Sequence, residues 1–145
     1  SSLNRWQPSC VVKPEWELQS EGDTRTMAST ILVIEDHESV RTLLAQVLTD
    51  AGYQVYEAVT GWQGLQQFLT QPTDLVITDL EMPEMNGLEV ILALTRTVSN
   101  VKGIVMSGHS VDELQKARLL GARQIFAKPL DLPALLHGIQ YELQH

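Results

Sequence analysis

Cysteine is nearly missing from this chain; Cys10 is the only one. No internal disulfide framework can form, and a reducing compartment is the natural reading. Long apolar runs are missing as well. None approaches the roughly 20 residues that a membrane span needs. Asn4, Arg5 and Gln7 interrupt any apolar signal core near the start. A cytoplasmic location and no membrane contact are therefore expected. Positive charge is scarce, with 10 Lys and Arg against 18 Asp and Glu, a net charge of −8. No basic cluster occurs, and phosphate backbones are held by clustered Lys and Arg, so this chain does not read as a nucleic-acid binder. A Gly-rich loop ending in Lys-Ser or Lys-Thr is also absent, which excludes a P-loop nucleotidase.

What remains is an ordinary globular composition, 43% hydrophobic and 19% charged over 145 residues. That length suits one domain, burying roughly 68–70% of its unfolded surface. Residues 1–26 stand apart. They hold Pro8, Pro14 and a polar run from Gln19 to Thr26, with no helical or strand period. Met27 reads as a start, with 1–26 a disordered or vector-derived leader and 27–145 the folded domain. The other reading is a natural extension with Trp6 and Trp16 as docking anchors.

From residue 30 strands and helices alternate. Ile31–Ile34 is an all-apolar, β-branched run expected to be buried on both faces. Ser39–Asp50 follows at helical spacing on Val40, Leu43, Leu44, Val47 and Leu48, with Gly52 as its stop. Tyr53–Ala58 alternates as a strand; Gly61–Thr70 reads as a helix on Leu65, Phe68 and Leu69, closed off by Pro72. Strands are expected again at Leu75–Thr78, Lys102–Met106 and Gln124–Ala127, and helices at Leu88–Thr97, Val111–Leu120 and Leu132–Leu143. Asp131 is the expected N-cap of the last helix and Pro133 sits in its first turn. Five strands alternating with five helices imply an α/β fold, a doubly wound parallel sheet with right-handed crossovers.

The polar residues at the strand ends carry the chemistry. Glu35 and Asp36 follow the first strand, Asp79 the third, Ser107 the fourth and Lys128 the fifth. In an open α/β sheet that edge is the ligand-binding edge. Three neighbouring carboxylates repel one another, and a hard divalent cation removes that cost. An oxygen donor set favours Mg²⁺ over zinc. Taken alone, Glu35 and Asp36 read equally as helix-capping acids. A carboxylate such as Asp79, ending a buried strand beside a metal, can attack phosphorus to give an aspartyl phosphate. Lys128 offers a point charge to phosphoryl oxygens and Ser107 a hydroxyl donor. Pro129 implies a defined turn, cis or trans, that aims the lysine. Pro83 and Gly87 would fix the loop after Asp79, Gly87 by adopting backbone angles closed to other residues.

The segments ILVIEDHESVR, DLVITDLEMPEMNGLEV, IVMSGHS and IFAKPL occur in that order and spacing. In them the chain from about residue 29 to 143 resembles a response-regulator receiver domain, a flavodoxin-like fold with strand order 2-1-3-4-5. The resemblance implies that Asp79 accepts a phosphoryl group from a histidine kinase or phosphotransfer protein in a two-component phosphorelay. It implies Mg²⁺ held by Asp36, Asp79 and the backbone carbonyl of Glu81, with Glu35 acting mainly through water. Ser107 and Phe126 stand at the switch positions, Phe126 being otherwise a plain core aromatic. Glu81 and His109 stand where the family tunes dephosphorylation, His109 being otherwise a solvated loop residue. The protein would catalyse only its own phosphorylation and dephosphorylation.

Phosphorylation would then switch a face made by the fourth helix, fifth strand and fifth helix for a downstream protein target. The paired acids of charge-networked dimers are missing before the fifth strand, where Gly121–Gln124 stands, so a monomer or weak dimer is expected. His37, His137 and His145 read as surface residues. The apolar residues Leu132, Leu135, Leu136 and Ile139 are expected to pack on the sheet. Only two residues follow Leu143, which suits a stand-alone regulator or a receiver cut from a larger protein. The alternative is a receiver-like interaction module that works without phosphorylation. A haloacid-dehalogenase-type phosphatase is disfavoured, because its nucleophile follows the first strand with a second Asp two residues on. A flavodoxin would leave the acid cluster unexplained.

Overall fold

The computed structural model describes residues 28–82, 85, 87–98, 101–108, 115, 116, 118 and 120–145. The expected leader, Pro83, His109 and most of the helix expected over 111–120 lie outside these residues; Gln115, Lys116 and Arg118 have helical backbone. Five strands form one sheet: β1 (Thr30–Ile34), β2 (Gln54–Ala58), β3 (Leu75–Asp79), β4 (Gly103–Ser107) and β5 (Gln124–Ala127). Four helices are complete among the described residues: α1 (Glu38–Asp50), α2 (Gly61–Thr70), α3 (Gly87–Thr97) and α4 (Leu132–Gln144). No helix among the described residues is long and apolar enough to cross a membrane.

All strand pairs are parallel and the order is β2-β1-β3-β4-β5, as expected. The side-chain period of two sorts each strand between two cores. Ile31, Val33, Leu75, Ile77, Ile104 and Met106 pack with Leu44 and Leu48 of α1 and Leu135 and Ile139 of α4. Leu32, Ile34 and Val76 face the other way, onto Phe68 of α2 and Val90 and Leu94 of α3. That two-sided cover explains why β1, β3 and β4 read as unbroken apolar runs. β2 alternates because it is an edge strand, with Gln54 and Glu57 exposed.

Helix termini follow the sequence signals. Thr60 caps α2 by accepting the Gln63 N–H at 3.1 Å, and Asp131 caps α4 by accepting the Ala134 N–H at 3.2 Å. Gly52 takes φ 101° after α1, where a side chain would be strained. Two expected core positions are corrected: Leu43 on α1 is 51% exposed and Leu69 on α2 is 49% exposed. A helix on one sheet face buries a stripe about 100° wide, and both residues lie beyond its margin. Leu132 and Leu136 do pack against the core beside Leu135 and Ile139.

Candidate functional site

The parallel ladder sets the acids side by side. Ile34 of β1 registers with Thr78 of β3, so the next position along each strand holds Glu35 and Asp79. This is the point where the strand order reverses, with β2 to one side of β1 and β3 to the other, and it opens a crevice at the C-terminal edge. Ser107 pairs with Ala127, and the Lys128 N–H donates to the Ser107 carbonyl at 2.8 Å. The sheet itself therefore brings four of the expected residues to one edge. The Lys128–Pro129 peptide is cis.

Within the crevice Lys128 Nζ donates to Asp79 Oδ2 at 2.9 Å and lies 3.3 Å from Glu35 Oε1. Both acids are almost fully buried and Lys128 retains 22% exposure. Burial pushes the Glu35 carboxyl above the usual carboxylate range, and the Asp79 charge adds to this against His37 and Lys128. Burial would lower Lys128, but its bonds and charge pairing with Asp79 and Glu35 outweigh it and hold the ammonium above its ordinary value. Lysine at this place is cationic throughout the neutral range.

Neither acid of the first pair caps α1 through its side chain. The N-cap residue is His37, whose side chain makes no capping bond. Glu35 Oε2 accepts the His37 N–H at 3.2 Å, while Asp36 Oδ1 is buried without a hydrogen-bond partner. His37 Nδ1 lies 3.3 Å from it, and a buried carboxylate oxygen in that position can accept a cation. Donor atoms of Glu35, Asp36, His37 and Asp79 lie within 4.8 Å of one another. Three carboxylates dominate that set, and hard oxygen donors suit Mg²⁺.

Three features were not legible in the sequence. His37 is a surface residue, as expected, with its side chain 66% exposed, yet its Nδ1 reaches Glu35 at 3.2 Å and Asp36 at 3.3 Å. Arg41, one turn into α1, donates to the Glu35 carbonyl at 3.0 Å and to Glu57 at 3.2 Å, tying the acid-bearing loop to β2. Its position four residues after His37 was the available signal. Glu81 turns its carboxylate onto Ser107 Oγ at 2.5 Å and the Gly108 N–H at 2.9 Å.

The role of Gly87 is also revised. It opens α3 so close to the strand end that a Cβ would stand 2.4 Å from the Asp79 carbonyl oxygen. Close approach, rather than left-handed backbone, requires glycine there; the positive-φ glycines among the described residues are Gly52 and Gly121. Phe126 is half-buried against the α4 side of the core, its ring lying over Gly138. Away from the acids, a cavity of about 320 Å³ is lined by Leu32, Tyr56 and four glutamines of the α2 region. It holds no charged group for a phosphoryl ligand.

Comparison with known proteins agrees with this geometry. The family model described as the response regulator receiver domain matches residues 31–140. The chain is 31% identical over 115 residues to sporulation initiation phosphotransferase F of Bacillus subtilis, covering 79% of this chain and 93% of that protein. It is 34% identical over 113 residues to chemotaxis protein CheY of Treponema pallidum, covering 75% and 78%. It matches only 16% of the Vibrio cholerae CAI-1 autoinducer sensor kinase/phosphatase CqsS, at 34% identity over 75% of this chain. Among solved structures, chemotaxis protein CheY4 of Vibrio cholerae superposes with a TM-score of 0.73 at 26% identity, over 79% of this chain and 98% of the other. A CheY-like receiver domain protein from Methanospirillum hungatei gives 0.78 at 25%, over 81% and 95%. The switch-point crevice, the acids and lysine at the strand ends and these matches lead to one conclusion: the chain belongs to the response regulator receiver domain family.

Proposed function

We propose that this domain is the Mg²⁺-dependent phosphoacceptor of a two-component phosphorelay, with Asp79 as the residue phosphorylated. The observation that carries it is Lys128 Nζ bound to the buried Asp79 at 2.9 Å beside Glu35 and Asp36, whose Oδ1 is buried and makes no hydrogen bond. A buried nucleophile, a fixed cation and a cluster of oxygen donors are what in-line phosphoryl transfer needs, since that chemistry is mostly positioning and charge neutralisation. Asp36, Asp79 and the Glu81 carbonyl would hold Mg²⁺, with Glu35 behind them. Bound there, the ion supplies charge stabilisation to the phosphoryl oxygens.

Asp79 attacks phosphorus on a phosphohistidine; the new O–P bond forms as the P–N bond breaks, and the imidazole keeps the electron pair. Lys128 follows the transferred charge. Ser107 then turns to the phosphoryl oxygens, and Phe126 moves with it, biasing the face around β5 and α4 toward a downstream protein target. Glu81 and His109 would flank the path of hydrolytic water, His109 lying outside the described residues. The domain turns over no other substrate on this reading; its donors are histidine kinases or phosphotransfer proteins in the cytoplasm.

The test is intact mass after acetyl phosphate or phosphoramidate, with and without Mg²⁺, on wild type and Asp79→Asn. One added phosphoryl group in wild type with Mg²⁺ alone is expected. No gain under any condition overturns the proposal in favour of a phosphate-independent interaction module.

A further inference from the structure

Glu81 stands two residues beyond Asp79, and its backbone N–H donates to Asp79 Oδ1 at 3.1 Å. Its side chain crosses to the end of β4, where a single oxygen, Oε2, accepts from both Ser107 Oγ and the Gly108 N–H. Two donors converging on one anionic oxygen form a small anion cradle, and such charge-assisted bonds are the strong ones. A serine hydroxyl has one proton to give. While Ser107 donates to Glu81 it cannot donate to a group on Asp79.

We propose that the Glu81 carboxylate is an internal stand-in for the phosphoryl group, a latch that holds Ser107 and the Gly108 N–H in the unphosphorylated arrangement. The proposal rests on the phosphoacceptor reading above and deepens it. An aspartyl phosphate adds about 1.5 to 2 negative charges on the residue that the Glu81 N–H already touches. Like charge expels the Glu81 carboxylate, and the phosphoryl oxygens take over the two donors it releases. The switch is then an exchange of one anion for another on a fixed cradle. The cost of opening it is set against phosphorylation, so the latch lowers the affinity of the site for a phosphoryl group. Glu81 is a positioning residue here, acting through Ser107 and Gly108.

The experiment measures Mg²⁺-dependent binding of beryllofluoride, a tetrahedral phosphoryl mimic, alongside phosphoramidate labelling followed by intact mass. The proteins are wild type, Glu81→Gln, Glu81→Ala, Ser107→Ala and the Glu81→Ala/Ser107→Ala double variant. Loss of a charge-assisted bond should tighten the mimic roughly tenfold in Glu81→Ala, with Glu81→Gln between the two. In the Ser107→Ala background the same change should gain much less, about threefold or under. The Gly108 amide proton should also move upfield in unphosphorylated Glu81→Ala, a signature that simple loss of stability does not produce. Equal gains in both backgrounds would mean plain charge repulsion and overturn the latch. So would a Glu81→Ala protein that binds the mimic as wild type does. Wild type that neither labels nor binds beryllofluoride overturns the phosphoacceptor reading and the latch together, whereas normal labelling with no Glu81 dependence overturns the latch alone. Glu81→Gln, being isosteric, keeps the comparison interpretable if the alanine variant folds poorly.

Discussion

Glu35 and Lys128 oppose each other across the crevice, and their charges affect stability in opposite directions. Burial, then the Asp79 charge, raises the Glu35 carboxyl above its ordinary 4.5. A group that holds its proton more tightly folded than unfolded loses stability as pH rises from the unfolded value through the folded one. At pH above its ordinary value and without metal, Glu35 is therefore a net cost to folding. Glu35→Gln should raise the thermal midpoint in EDTA by a few degrees, on the order of 2–6 °C; a lower midpoint would mean the Lys128 pairing outweighs burial. Lys128→Met should do the reverse. It strips the ammonium from two buried acids, at about 1–3 kcal/mol given the remaining solvent access. It should also slow phosphoramidate labelling by roughly 10–100-fold. Labelling at the wild-type rate would remove Lys128 from the chemistry.

Elements meet most tightly where α3 begins. At Gly87 an added Cβ would stand 2.4 Å from the Asp79 carbonyl oxygen, which is backbone and cannot swing aside. Gly87→Ala should cost about 1–3 kcal/mol and impair labelling, because the strand end that carries Asp79 must shift. Gly52→Ala is the control. Its φ of 101° makes alanine strained, yet nothing lies within 4 Å, so stability should fall by about 1–2 kcal/mol with labelling intact. Equal labelling by both variants would show that the α3 contact does not position Asp79. Sequence periodicity found every described helix and strand to within about two residues. It overcounted the buried positions on α1 and α2, because spacing alone does not say how wide a stripe the sheet covers.

Metal binding and core packing act on the whole molecule. If Asp36 is a direct ligand, Mg²⁺ at 100 times its dissociation constant should add about 2.7 kcal/mol to unfolding, read as a rise in the urea midpoint. Asp36→Asn should lose most of that rise; a full Mg²⁺ response in this variant would place the ion elsewhere. Ile104 lies on β4, between the central strand β3 and the edge strand β5, with no exposure. Truncating it to alanine should cost about 2–5 kcal/mol, with the Mg²⁺ increment unchanged, since the core and the crevice are separate contributions.

The sequence by itself determined the alternation of strands and helices, the parallel sheet and the four strand ends that carry acids, hydroxyl and lysine. Those follow from local periodicity and from the rule that a doubly wound sheet binds ligands at one edge. Only the tertiary structure decided which groups touch. That Lys128 bonds Asp79 and lies against Glu35, that Asp36 Oδ1 is buried without a hydrogen bond, and that His37 leans into the acids are all consequences of strand register and loop direction. The Glu81 bonds to Ser107 and Gly108 span 26 and 27 residues of chain. No local pattern encodes a contact at that separation; it exists because β3 and β4 lie side by side.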